Sequence, residues 1–553
     1  MKNLVLLIFL VIFVIAIAPA RADKVFNSFS VFGDSLSTIA VSSRYSPSGY
    51  GTGNNWPYYL QAMILSPGGS YNNLAAGGAT SPGILQTITS YTASNPRLDS
   101  SGLYAVFGGI NDASGYAGYI ASGTNALHQA GAGYILVSNL HDCRSRNPVY
   151  IERFNNDLRS RFSLTDANAI MVDTHALIAE LEASPASYGF GSDTVLTDDL
   201  HYSDRTSRIL AQYFNSVIQA PVQISVLPEF LGYAALLNND RLYSLISRIS
   251  PERPDTSAKD EESDPVAPGA GIPNEQKFSF FAEAGLNSFK LKSKEEFASS
   301  DMLDMDLTLG GYYPLRENLK TGLALNSAVS DGDFGDDKGD FKMFRGIISL
   351  FAELDIEETV PVTVILSQGF YSLDDISRPV ALGNVTRNCT GSTTGDTTGI
   401  AVRARYNFRE EDNSRFGTSL GLEYDKIAVD GYSESGETST RMKFGSQKTD
   451  RTIGILGLYY DYLHQYSGAE VRYLLRGDYL YTFGGGSRTI SARVASFDNS
   501  FEMPAYSPGD YGSVRFTLGA DFILPSEFTG TCSYQFTYSD IAMINALRVG
   551  LKF

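Results

Sequence analysis

The hydrophobic rhythm of the chain changes twice along its length. Over residues 23–221, short apolar runs at 25–32, 103–108 and 169–172 alternate with helical stretches at 149–162 and 205–218. Strands alternating with helices at this spacing predict a parallel sheet covered on both faces. Between 228 and 249, Phe230, Tyr233, Ala234, Leu237, Leu242, Leu245, Ile246 and Ile249 fall on one helical stripe. Residues 251–276 hold five prolines and the acidic run Asp260-Glu261-Glu262, which predicts a linker.

Beyond 277 the period becomes two. Leu303, Met305, Leu307 and Leu309 alternate with Asp304, Asp306, Thr308 and Gly310. Val514, Phe516, Leu518, Ala520 and Phe522 alternate with Arg515, Thr517, Gly519 and Asp521, and Leu547, Val549, Leu551 and Phe553 with Arg548, Gly550 and Lys552. This is the pattern of strands with one apolar face. Tyr312 and Tyr313, Tyr459 and Tyr460, Tyr479, Tyr481 and Phe483 cluster where such strands end, as in the aromatic girdles of membrane barrels.

The amino terminus decides between a soluble and a membrane reading. Lys2 precedes an apolar run of 15 residues, 4–18, too short to span a bilayer as a helix, and Ala20-Arg21-Ala22 offers a cleavage site after Ala22. The predicted organisation is a signal peptide over 1–22, an α/β passenger over 23–225, a linker helix and acidic linker over 226–276, and an antiparallel transmembrane β-barrel over 277–553. No apolar stretch after residue 22 is expected to approach a membrane helix.

Composition narrows the chemistry. A net charge of −18 over 553 residues argues against a nucleic-acid partner. Three cysteines (Cys143, Cys389, Cys532) cannot build a disulfide scaffold, and the spacing of cysteine and histidine suggests no metal site. In the amino-terminal half, Gly33-Asp34-Ser35-Leu36 follows the first strand directly, where a serine can project into a cleft at the carboxyl edge of a sheet. A serine needs a base. Of His128, His141, His175 and His201, only His201 has a carboxylate three residues earlier, Asp198. His175 reads as a structural histidine although Asp173 is near, and no role is assigned to His128 or His141. Two further blocks are rich in small residues: 73–80, with Gly77 and Gly78, and 108–112, with Asn111.

These four blocks, in this order over residues 26–220, resemble the signature blocks of the GDSL or SGNH family of esterases and lipases. The resemblance implies a three-layer, mostly parallel α/β fold and a Ser-His-Asp triad of Ser35, His201 and Asp198. It implies an oxyanion hole formed by Ser35, Gly78 and Asn111, and no cofactor. Trp56-Pro57 and the residues after them resemble the first helix of exported members. The chain departs from the family pattern at Tyr202, where proline often follows the histidine, and near Arg208, where a second histidine is common.

Residues 228–553 resemble the translocator domain of autotransporters, which implies a 12-stranded barrel with a helix through its lumen. The expected function is a surface-displayed serine esterase or lipase acting on acyl esters. Its partners are an ester or lipid substrate, the outer-membrane bilayer and the barrel-assembly machinery, with no nucleic acid. Whether the passenger is released after export stays open. The alternative is a non-enzymatic adhesin or biofilm factor on a degenerate hydrolase scaffold. Because all five site residues lie before 225, the passenger is expected to fold and act alone.

Overall fold

The computed structural model describes residues 25–38, 54–248 and 278–553, apart from a few loop positions (294–296, 317, 336, 357–359, 412, 467–468, 485 and 525–527). The predicted signal peptide and nearly all of the acidic linker lie outside the described residues.

The amino-terminal half contains strands β1 (Phe26–Gly33), β2 (Leu65–Asn73), β3 (Leu103–Phe107), β4 (Tyr134–Ser138) and β5 (Ala169–Val172). Between them run helices α1 (Trp56–Ile64), α2 (Ser81–Ser94), α3 (Gly118–Gln129) and α4 (Pro148–Phe162), followed by α5 (Thr174–Ala183) and α6 (Asp204–Ile224). The strands pair in parallel in the order β2-β1-β3-β4-β5. Alternation along β1 sends Phe29 towards Trp56 of α1 and Phe32 towards Tyr91 of α2. Trp56 in turn stacks on Phe107 of β3 and meets Phe214 of α6 edge-on. Helices therefore cover both faces, giving the expected three layers.

The strand order reverses at β1, with β2 on one side and β3 on the other. Such a switch point opens a crevice at the carboxyl ends of the strands. Gly33 and Phe107 are paired in register at those ends, so the segments after them emerge side by side.

The second half is a closed antiparallel barrel. Its strands are β6 (Ser279–Leu291), β7 (Ser300–Arg316), β8 (Leu319–Asp333), β9 (Asp340–Ile356), β10 (Val360–Leu382), β11 (Val385–Glu411) and β12 (Ser414–Val429). The circuit continues through β15 (Gln447–Tyr466), β16 (Ala469–Phe483), β19 (Tyr511–Ile523), β20 (Thr529–Ser539) and β21 (Ala542–Lys552), which pairs back with β6. Two barrel loops contribute a separate four-stranded sheet of β13 (Tyr432–Ser433), β14 (Met442–Phe444), β17 (Arg488–Val494) and β18 (Phe501–Ala505).

The period-two pattern is sorted as a membrane barrel requires. Leu303, Met305, Leu307 and Leu309 are 46–61% exposed on the outside, while Asp304, Asp306 and Thr308 are buried inside. The aromatic girdle is thinner than the sequence suggests. Tyr313, Tyr460, Tyr479 and Phe483 face outward, but Tyr312 and Tyr459 point into the lumen and are buried. Adjacent residues on a strand point to opposite faces, so only one of each neighbouring tyrosine pair can reach lipid.

Helix α7 (Leu227–Ser247) continues α6 into the lumen. It is buried nearly all round rather than along the single stripe expected from its apolar residues. The polar positions are held by the barrel wall: Asp240 pairs with Arg403 and Arg515, and Arg241 pairs with Glu283 at 3.1 Å and donates to Thr308 at 2.6 Å. The α6–α7 rod, residues 204–247, is long and apolar enough to cross a membrane, and nearly all of its most apolar stretch is buried. That corrects the expectation that nothing after residue 22 approaches such a helix. Its apolar surface is covered by the passenger and the barrel, so its hydropathy reflects burial in protein.

Candidate active site

The site is assembled from four loops at the carboxyl edge of the sheet, each bonded to a neighbour. Just past β1, a carboxyl oxygen of Asp34 accepts the Leu36 N–H at 3.0 Å, closing a tight turn that turns Ser35 outward. Asn55, which caps α1 by accepting the Trp56 N–H at 3.0 Å, also donates to the Ser35 carbonyl at 3.3 Å. The second block is fastened to the first: Ala76 N donates to Gly33 O at 3.0 Å, and Asn73 Nδ2 to Ser37 O at 2.8 Å. The third holds the second, since Asn111 Nδ2 donates to Ala79 O at 3.1 Å and Asp112 Oδ1 accepts Ser81 N at 2.7 Å.

Two glycines are required by conformation or space. Gly78 sits at φ +75° with open space where a Cβ would stand, so backbone conformation alone selects glycine there. Gly109, at φ +118°, would also drive a Cβ to 2.3 Å from the Phe154 ring.

The fourth block completes the constellation. His201 Nε2 lies 2.8 Å from Ser35 Oγ. Its Nδ1 lies 2.8 and 3.0 Å from the two oxygens of Asp198. Asp198 also accepts the His201 backbone N–H at 2.8 Å, and Asp199 between them takes φ +64° to turn the loop back on itself. Although partial burial opposes it, these bonds from the His201 backbone and ring hold the Asp198 carboxyl below its ordinary value. An ionised Asp198 accepts the Nδ1–H, which makes Nε2 the acceptor nitrogen of the ring.

Ser35, His201 and Asp198 are thus joined by hydrogen bonds, and Gly78 and Asn111 lie on loops fastened to the segment that carries Ser35. Neither the Ser35 nor the Gly78 backbone N–H is engaged among the described residues, and the Asn111 amide has a second N–H beyond the one given to Ala79. No group of three or more His, Cys, Asp or Glu side chains among the described residues could hold a metal ion.

Three groups here went unassigned at the level of sequence. His141, beyond the end of β4, is fully buried and bonds to both residues flanking His201: Nε2 to the Leu200 carbonyl and Nδ1 to the Tyr202 hydroxyl, each at 3.0 Å. A carbonyl only accepts, so Nε2 carries the proton and Nδ1 accepts from Tyr202. Burial, opposed in part by the Leu200 bond, lowers the His141 pKa to about 4 and keeps the ring neutral. Tyr202, where the resemblance leads one to expect proline, is this histidine's partner. Asp34, beside Ser35, is completely buried; burial, opposed by the Leu36 N–H and aided by the charge of Asp112, raises its pKa to about 7. Arg208 pairs with Asp204 at 2.9 Å, and Asp204 also accepts from Tyr59 of α1. His175 lies 3.2 Å from Asp142, away from Ser35, while Asp173 caps α5.

An outer-membrane barrel carrying an α/β passenger is the class that fold and site define. Residues 280–535 match the autotransporter β-domain family. The carboxyl-terminal half is an autotransporter β-domain, and the protein is located in the outer membrane with its passenger exposed. Over 472 residues the chain is 25% identical to an uncharacterized protein in the trpE-trpG intergenic region of Pseudomonas putida, covering 72% of this chain and 75% of the relative. It is 24% identical over 400 residues to esterase EstA of Pseudomonas aeruginosa, covering 66% of this chain and 58% of the esterase. The chain therefore spans little more than half the length of that esterase. The translocator domain of the autotransporter NalP from Neisseria meningitidis superposes with a TM-score of 0.41 at 16% identity, covering 51% of this chain and 89% of that one.

Proposed function

We propose that the passenger is a serine hydrolase of carboxylic esters, of the GDSL type, displayed at the cell surface by its own barrel. The observation that carries this reading is the continuous chain from Ser35 Oγ through His201 to Asp198, with 2.8 Å at each link. His201 Nε2 takes the Ser35 proton as the hydroxyl oxygen attacks the ester carbonyl, and Asp198 stabilises the imidazolium that results. Negative charge developing on the carbonyl oxygen is met by the Ser35 and Gly78 N–H groups and the Asn111 amide. His201 then returns its proton to the leaving alcohol, and a water activated by the same imidazole releases the acid. No metal or organic group is needed for these steps. The esterase among the similar proteins supports the reaction class.

The reading that competes, an adhesin on a degenerate scaffold, leaves no reason for Ser35, His201 and Asp198 to keep proton-transfer geometry. The deciding experiment is hydrolysis of p-nitrophenyl esters by whole cells carrying wild type or Ser35→Ala. Loss of activity by at least about 10³-fold at equal surface level is expected. Near wild-type turnover in that variant removes the nucleophile assignment. Barrel insertion by the assembly machinery belongs to the same proposal.

A further inference from the structure

We propose that the four-stranded loop sheet β13-β14-β17-β18 is a built-in docking platform for the passenger. It covers the open edge of the passenger's sheet and makes the hydrolase a fixed cap on the barrel mouth. The argument begins with the edges. The order β2-β1-β3-β4-β5 leaves two open edges, and an open edge exposes unpaired N–H and C=O groups that invite further strands. At β2 the sequence Leu65–Asn73 blunts its own edge with Pro67, Gly68 and Gly69. At β5 the four residues Ala169–Val172 are fully apolar and buried, with no such protection of their own.

The covering groups come from a loop more than 300 residues away. Asn168, immediately before β5, uses both ends of its amide on one residue of β18: Nδ2 donates to Glu502 O at 2.9 Å and Oδ1 accepts Glu502 N at 2.8 Å. Asn499 reciprocates, its Nδ2 donating to the Ala169 carbonyl at 2.9 Å. Two asparagines thus replace a missing ladder strand between passenger and loop sheet.

The same surfaces share one apolar core. Phe497, Phe501 and Met503 of the loop are buried in the cluster that also holds Val172 and Phe214 of the passenger. A second polar contact ties barrel to passenger, with Arg387 of β11 reaching Glu180 of α5 at 2.8 Å and also bonding the Tyr188 hydroxyl. The junction between α6 and α7 is gripped as well, since Ser225 Oγ accepts the Tyr506 N–H at 2.8 Å. A merely tethered domain would meet the barrel through polar, solvated contacts. Here apolar burial is continuous across the boundary. The expectation that the passenger folds and acts alone leaves out the part of this core that the barrel and its loops supply.

Two measurements on the full-length protein test the platform. In the first, Asn168→Cys is combined with Glu502→Cys on intact cells. Cys143 and Cys389 are buried, and Cys532, on the outer face, is replaced by serine. The pair is expected to link under mild oxidation or with a short bifunctional thiol reagent, which neither single cysteine allows. If both thiols are instead alkylated freely and never linked, the passenger does not rest on this sheet and the proposal is overturned.

In the second, Phe497→Ala is followed by the emission of Trp56, the only tryptophan in the chain and one that reports the passenger alone. Its thermal midpoint is expected to fall by at least about 5 °C while the barrel keeps its heat-modifiable folded form on gels. An unchanged midpoint in a folded barrel also overturns the proposal. Should that variant fail to assemble, the cysteine pair decides the matter.

Discussion

The Tyr202 hydroxyl lies 3.0 Å from His141 Nδ1, and Tyr202 is the residue immediately after His201. Because His141 also holds the Leu200 carbonyl, one buried imidazole fixes both neighbours of the base in the proposed triad. Tyr202→Phe keeps the ring and removes the hydroxyl, leaving His141 with an unmet buried acceptor. A loss of about 1–2 kcal/mol in orienting the loop corresponds to a drop of roughly tenfold in kcat. KM should change little, because the lost bond is to the buried His141 and acts on the loop that carries His201. Steady-state kinetics on a soluble ester checks this, and a changed KM with constant kcat would assign Tyr202 to substrate binding instead.

Asn111 gives one N–H to Ala79, and in the proposed mechanism the other meets the reacting oxygen. Asn111→Ala is expected to lower kcat by about 10²–10³-fold, the usual effect of removing one oxyanion donor, with a much smaller change in KM. Trp56 emission provides the control for folding. A loss that appears wholly in KM would mean that Asn111 binds the ground state.

The buried carboxyl of Asp34 sets a pH dependence of stability with a definite sign. In the fold it keeps its proton up to about pH 7, against an ordinary value of 3.8, so its contribution is full below about pH 4 and declines as the pH rises to 7. Asparagine is the neutral analogue and does not titrate. The stability of Asp34→Asn relative to wild type should therefore rise from pH 4 to 7 and level off above, by at most about 1.4 kcal/mol per pH unit. His141 carries the opposite slope, since its pKa near 4 means stability is lost as the pH falls from 6.5 towards 4. It is present in both proteins and cancels in the comparison. Trp56 thermal midpoints across that range test the prediction, and a difference independent of pH would contradict it.

In the terminal strand, Val549 is 57% exposed on the outer face while Arg548 is buried inside and donates to the Leu237 carbonyl of α7 at 3.4 Å. Val549→Arg puts a charge against lipid, at a cost of about 2–4 kcal/mol near the bilayer midplane. The amount of folded barrel in outer-membrane fractions should fall. Lys552→Gln, on the same strand but facing the lumen, should leave it nearly unchanged. Equal levels of all three proteins on heat-modifiability gels would reverse the assigned faces.

Much of this protein was legible in short stretches of sequence. The alternation of Leu303, Met305, Leu307 and Leu309 with Asp304, Asp306 and Thr308 encodes a two-faced strand, because the pleat sends neighbours to opposite sides whatever the rest of the chain does. The place of Ser35 just after a strand, and of Asp198 three residues before His201, likewise depends on local geometry. Other features depended on where distant segments met. Nothing near His141 in sequence announces Leu200 and Tyr202, about sixty residues on, as its partners. Tyr312 and Tyr459 face the lumen because barrel closure decides which side of each strand is inside. Asp240 and Arg241 are affordable in a buried helix only because Arg403, Arg515, Asp306 and Glu283 close around them. Asn168 meets Glu502 across 334 positions. Periodicity is set by the backbone over a few residues and survives in any context, whereas the pairing of polar groups depends on which surfaces folding brings into contact.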